Sequence, residues 1–75
     1  MNLKQLEAFV EVAESESFSK AAKKLFLTQP TVSAHISSLE KELDVRVFVR
    51  NTKEVALSEE GQKLYRYARQ ILDLT

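Results

Sequence analysis

A mainly α fold with one small β element is the fold class this 75-residue sequence predicts. Three observations predict it. Apolar residues recur at helical spacing along most of the chain, and each such stretch opens on a residue suited to capping a helix. Between the last two stretches the period changes to a β-branched and aromatic alternation.

In the first stretch Leu3, Leu6, Phe9, Val10 and Ala13 share one helical stripe. Asn2 suits the N-cap and Gln5 stands three residues on, the spacing of a capping box. This helix is expected to end near Ser15. Ser17 opens a second helix of about two turns, with Phe18, Ala21, Ala22 and Leu25 on its stripe. The paired alanines would let another helix approach closely, with helix propensity alone as the plainer explanation. Phe26-Leu27 breaks the polar rhythm, and Thr28 caps a third helix. Pro30 falls in its first turn, where the missing N–H costs nothing.

Val32, Ile36, Leu39 and Leu43 make the buried stripe of this third helix. Its other face carries Thr31, Ser33, Ala34, His35, Ser37 and Ser38. Those residues are small, uncharged and rich in hydrogen-bonding groups, where an ordinary solvated face would hold lysine and glutamate. Val45 to Arg50 then alternates, Asn51-Thr52-Lys53 is turn-like, and Val55-Ala56-Leu57 is a second short run, which together read as a small hairpin. Ser58 caps a last helix, with Glu59 and Glu60 favouring the dipole of its first turn. Leu57, Gly61, Leu64, Ala68, Ile71 and Thr75 step by four and three, and Tyr65 and Leu72 widen that stripe. The sequence stops with this helix still running, which points to a piece of a longer chain.

Composition removes several function classes. With 44% hydrophobic and 29% charged residues the chain reads as globular rather than disordered. The absence of cysteine excludes a disulfide scaffold, a thiolate zinc finger and a cysteine nucleophile. His35 is the single histidine and has no partner for a multi-histidine metal site. Gly61 is the single glycine, so no glycine-rich phosphate loop exists. No apolar run exceeds three residues, which leaves no signal core and no membrane span, and a cytoplasmic location is expected. Ser33 and His35, two residues apart, do not share a helix face, and no base, nucleophile and orienting group cluster elsewhere. No catalytic, cofactor-binding or metal-binding set is expected, and the chain is read as not an enzyme.

Net charge is zero, which taken alone argues against nucleic acid. The charges are nevertheless blocked. Glu7, Glu11, Glu14 and Glu16 face only Lys4, whereas no acid interrupts the stretch from Ser17 to Leu39 that holds Lys20, Lys23 and Lys24. Arg46, Arg50 and Lys53 form a further basic block, followed by acidic Glu54, Glu59 and Glu60 and then by Lys63, Arg66 and Arg69. Alternating blocks can place positive charge on one face of a neutral domain, where a polyanion would feel it.

Two short helices joined by a tight turn, the second small and polar, followed by a basic hairpin, describe a winged helix-turn-helix. The expected architecture is a three-helix core, a two-stranded β wing and a C-terminal linker helix. A major groove admits one helix whose N-terminal residues reach base edges. Gln29 can pair with adenine, Ser33 and Thr31 can donate or accept, and Pro30 or the Thr31 methyl can touch a thymine methyl. Arg50 and Lys53 suit the backbone or the narrow minor groove. Lys20, Lys23 and Lys24 are either backbone anchors or a solvated helix face.

The residues resemble the N-terminal DNA-binding domain of LysR-type transcriptional regulators over essentially the whole chain. The likeness rests on the Leu3–Phe9 helix, Ser17-Phe18-Ser19-Lys20-Ala21-Ala22 and Leu27-Thr28-Gln29-Pro30-Thr31-Val32-Ser33. It continues through Ile36, Leu39-Glu40, Leu43 and Val47-Phe48-Val49-Arg50, and closes on Val55-Ala56-Leu57-Ser58-Glu59-Glu60-Gly61. It implies a bacterial-type transcription factor with a recognition helix from about Thr28 and a missing C-terminal domain that binds a small-molecule inducer. Gln29, Pro30, Ser33, Arg50 and Lys53 match the family pattern. Ala34 and Ser37 depart from it, since basic residues are common there, and Asp44 stands where glycine is usual, so that turn is expected to differ in shape.

The residues expected at double-stranded DNA are therefore Ser19, Lys20, Thr28, Gln29, Pro30, Thr31, Ser33, Ala34, His35, Ser37, Arg50 and Lys53, with His35 at the groove edge. Residues 1–57 are read as the DNA-binding domain and 58–75 as a dimerisation helix. Leu64, Tyr65, Ala68, Ile71 and Leu72 form its seam with a second copy, or else pack back on their own domain. Expected partners are duplex DNA and the chain itself as a homodimer. The full-length protein is open to tetramer formation and to contact with RNA polymerase. Near-neutral charge keeps a protein-interaction module as the alternative.

Overall fold

The computed structural model describes residues 1–49 and 54–74. Four helices follow one another: α1 (Leu3–Ser15), α2 (Phe18–Leu25), α3 (Gln29–Leu43) and α4 (Glu59–Asp73). Each starts on the residue that the sequence marks. The Asn2 side chain accepts from Gln5 N at 2.9 Å while Gln5 Oε1 accepts from Asn2 N at 3.1 Å, a closed capping box. Ser17, Thr28 and Ser58 accept from the backbone N–H groups of Lys20, Thr31 and Gly61 respectively. Among the described residues no helix is long and apolar enough to cross a membrane.

The C-termini of α1, α2 and α3 end on Glu16, Phe26 and Asp44, all in the left-handed conformation with φ of 55°, 58° and 55°. Asp44 thus takes the geometry glycine would take, and the expected change in the shape of that turn is not observed. Phe26 is the least comfortable of the three, because its bulky side chain is 95% exposed and gains nothing from burial to offset the backbone. Phe26→Asn is therefore expected to raise the unfolding free energy by about 1 kcal/mol, read from urea midpoints at unchanged slope.

α1 is the hub, packing against α2, α3 and α4. Leu6, Phe9 and Val10 are buried as the stripe requires, and Ala8 and Val12 are buried as well because helices cover α1 on more than one side. Leu3, at the open end of the stripe, stays exposed. Ala21 and Ala22 lie buried where α2 meets its neighbours, the close approach that small residues allow. Val32, Ile36 and Leu39 complete the core from α3, while Leu43 at the helix end is exposed. Phe48 closes it: its ring lies 5.6 Å from that of Phe9 and 6.0 Å, edge-on, from that of Phe18.

The two-stranded wing is reduced to a single antiparallel bridge, Phe48 to Leu57, with no strand among the described residues. Val49 N donates to Ala56 O at 2.8 Å and Ser58 N to Val47 O at 3.0 Å, so the pairing is antiparallel as expected but very short. The Val47 N–H is taken by the Glu40 carboxylate at 2.9 Å instead of a strand neighbour. That anchors this end of the wing to α3. The expected turn at 51–53, with Arg50, lies outside the described residues.

Candidate nucleic-acid interface

α2 and α3 are joined by a turn in which Leu27 N donates to Ala22 O at 2.9 Å, a helix-turn-helix. The turn presents the first residues of α3 at the surface. Gln29 and Pro30 occupy its first two positions and are exposed. At about 100° per residue, Pro30, Ser33, Ala34 and Ser37 fall on one face, and of these Ser33 alone is half-buried. That face is shallow, uncharged and free of long side chains. Thr28 and Thr31 are engaged with each other, their hydroxyl oxygens 2.8 Å apart, so the capping bond is part of the surface it creates.

Thr31 and His35 separate from this face. Both line a cleft with Lys4 and Glu7 of α1 and Leu25 and Leu27 of the turn, and both are half-buried. Helix geometry puts them on the far flank from Ser33, two residues away in each direction. His35 is thus turned toward α1 rather than toward the groove edge expected from its sequence position. Ser19 and Lys20, exposed in the first turn of α2, stand on the helix that precedes the turn. Of the three α2 lysines, Lys24 pairs with Glu11 at 3.5 Å and so ties α2 to α1.

Two basic residues that the sequence pattern did not single out extend the α3 face. Lys41 lies one helical turn beyond Ser37 on the same row, and Arg46 follows across a shallow hollow that both line. The four-residue step 33, 37, 41 is the signal that points to Lys41. Arg46 carries none, because its position depends on the Asp44 turn.

α4 packs against α1. Ala68 is 0% exposed, and Leu64, Tyr65 and Leu72 rest half-buried on the core. The Tyr65 hydroxyl donates to Glu14 Oε2 at 2.6 Å, and this bond to a carboxylate holds its pKa above the ordinary tyrosine value. Arg69 reaches the same Glu14 at 3.6 Å and Asp73 at 3.0 Å. The expected seam therefore divides: Ala68 is covered by its own chain, while Ile71 keeps 37% of its surface. Tyr67, 64% exposed, and Leu74, 87% exposed, join Ile71 at three- and four-residue steps to make an outward apolar row. Tyr67 escapes the sequence pattern because the stripe ending at Thr75 absorbs the other apolar positions.

The model of bacterial regulatory helix-turn-helix proteins of the lysR family matches residues 3–62. An uncharacterised HTH-type transcriptional regulator of Bacillus subtilis, YxjO, is 47% identical over 96% of this chain, which spans 25% of that relative's length. Among solved structures, the BenM DNA-binding domain in complex with benA site 1 DNA superposes with a TM-score of 0.94 at 41% identity. The match covers 97% of this chain and 82% of that one. The CbnR DNA-binding domain in its DNA complex gives 0.91 at 34% identity, covering 99% and 85%. The order of capped helices, the helix-turn-helix geometry and these matches agree, and the chain belongs to the lysR family of bacterial regulatory helix-turn-helix proteins.

Proposed function

We propose that this chain binds double-stranded DNA sequence-specifically as a homodimer, the DNA-binding part of a longer transcriptional regulator working in the bacterial cytoplasm. The N-terminal half of α3 enters the major groove, with Gln29, Pro30 and Ser33 at base edges and Ala34 and Ser37 against the groove wall. Thr28 sets the start of that helix. Ser19 and Lys20 of α2, with Lys41 and Arg46 beyond the far end of the face, meet phosphates, and Arg50 and Lys53 of the wing take the backbone or the minor groove. The outward row of α4 pairs with its copy, so that two α3 helices face two half-sites of an inverted repeat. A C-terminal domain of the longer protein binds the inducer.

The single observation that carries this reading is the uncharged, exposed face of α3 at Pro30, Ser33, Ala34 and Ser37. Long cations there would hold phosphates at any sequence, whereas short polar groups let the helix approach base edges. The likeness to two domains described as DNA complexes supports the same placement.

Gln29→Ala and Ser33→Ala are expected to reduce discrimination between the preferred and a substituted half-site by about 1–3 kcal/mol each, with little change in binding to random duplex. Competition titrations against a panel of single-base variants measure it. Unchanged preference at every base in both variants would place another element in the groove. Binding that ignores salt would favour a protein-interaction module, since phosphate contacts must weaken steeply as salt rises.

A further inference from the structure

We infer that Glu40 and Gly61 are positioning residues for DNA binding, because together they lock the Val47 peptide, from which the wing springs, to both α3 and α4. This rests on the proposed function above. Val47 is fully buried and sits two residues before the last described residue of the wing's first arm. Its N–H donates to the Glu40 carboxylate at 2.9 Å, and Glu40 is itself buried near the end of α3. Its carbonyl accepts from Ser58 N at 3.0 Å, at the cap of α4. The Ser58 hydroxyl donates in turn to the neighbouring Arg46 carbonyl.

Gly61 is what allows this junction to close. A Cβ at residue 61 would fall 2.0 Å from the Val47 carbonyl oxygen and 2.9 Å from its carbonyl carbon. Both are backbone atoms, so no side-chain rotation relieves the clash. α4 resists moving, since Ala68 is packed on α1 and Tyr65 is bonded to Glu14. The element free to yield is therefore the 46–48 segment. Its displacement breaks the Ser58–Val47 bond and then the Phe48–Leu57 bridge one residue further on, so the arm leading to Arg50 and Lys53 is re-aimed while the Gln29–Ser37 face keeps its place. Loss of the Glu40 carboxylate frees the same peptide from the opposite side.

The test is a salt titration of binding to a specific and a random duplex by the 75-residue chain. It uses Gly61→Ala and Glu40→Ala, each alone and in an Arg50→Ala/Lys53→Ala background, with thermal unfolding followed in parallel. Each single variant should lower the slope of log affinity against log salt by about 0.9 for every phosphate that the wing no longer neutralises. Base preference should be unchanged, and neither variant should have any further effect once Arg50 and Lys53 are alanine. Should Gly61→Ala fail to fold, Glu40→Ala carries the comparison alone. Effects that add in full to those of the Arg50→Ala/Lys53→Ala pair, or a slope equal to wild type, overturn the inference. A wild-type chain that binds no duplex overturns the proposed function as well, which the wild-type arm reports separately.

Discussion

Phe9→Ala should leave the domain largely unfolded at growth temperature. Phe9 is fully buried in α1, the helix against which α2, α3 and α4 all pack, and its ring meets Phe48 at 5.6 Å. Removing such a ring from a core costs about 3–5 kcal/mol. A domain of this length has about 4–11 kcal/mol in all, so most of the margin disappears. The loss is shared by the wing, because Phe48 stacks against Phe9 and Phe18 and is also the bridge partner of Leu57. Urea unfolding followed by circular dichroism measures the change. A midpoint within error of wild type would mean that the core is organised around another residue.

Ile71→Glu should convert a dimer into a folded monomer. Ile71 is partly exposed between Tyr67 and Leu74 on the outward row of α4, on the side away from the Ala68 contact with α1. A carboxylate there meets water in the monomer, so folding is spared. Across a two-fold axis the same substitution places two charges in an apolar seam, each contact occurring twice. The dimer dissociation constant should rise at least about a hundredfold, roughly 2.7 kcal/mol. Binding to a full inverted repeat should fall accordingly, with weak half-site binding retained. Sedimentation equilibrium reads the result, and a variant still dimeric at micromolar concentration would locate the interface elsewhere.

Helix starts are legible in the sequence because Asn2, Ser17, Thr28 and Ser58 are local signals, each acting on backbone within three residues. Helix ends are less so: Glu16, Phe26 and Asp44 close their helices in the left-handed region without glycine, which tertiary packing rather than residue type decides. The stripe of α3 predicts the burial of Val32, Ile36 and Leu39, since a single helix face has a single core to meet. Periodicity fails for α4 because that helix has two apolar rows. One row faces α1 and the other faces outward, and sequence spacing cannot say which belongs to the chain itself. Residue type alone puts His35 at the groove edge, whereas its neighbours Lys4 and Glu7 come from more than twenty-five positions away in the chain. The wing's brevity is equally hidden, since Glu40 claims the Val47 N–H through a contact that no local pattern encodes.

Selection of bound sequences from a pool of random duplex DNA tests specific recognition by α3 most directly. Two copies of one short motif should emerge, inverted and separated by about one helical turn or a multiple of it. The enriched bases should lose their preference when the selection is repeated with Ser33→Ala. No enrichment over the starting pool, or a single unrepeated motif bound by a proven monomer, would contradict a dimeric reader of duplex sequence.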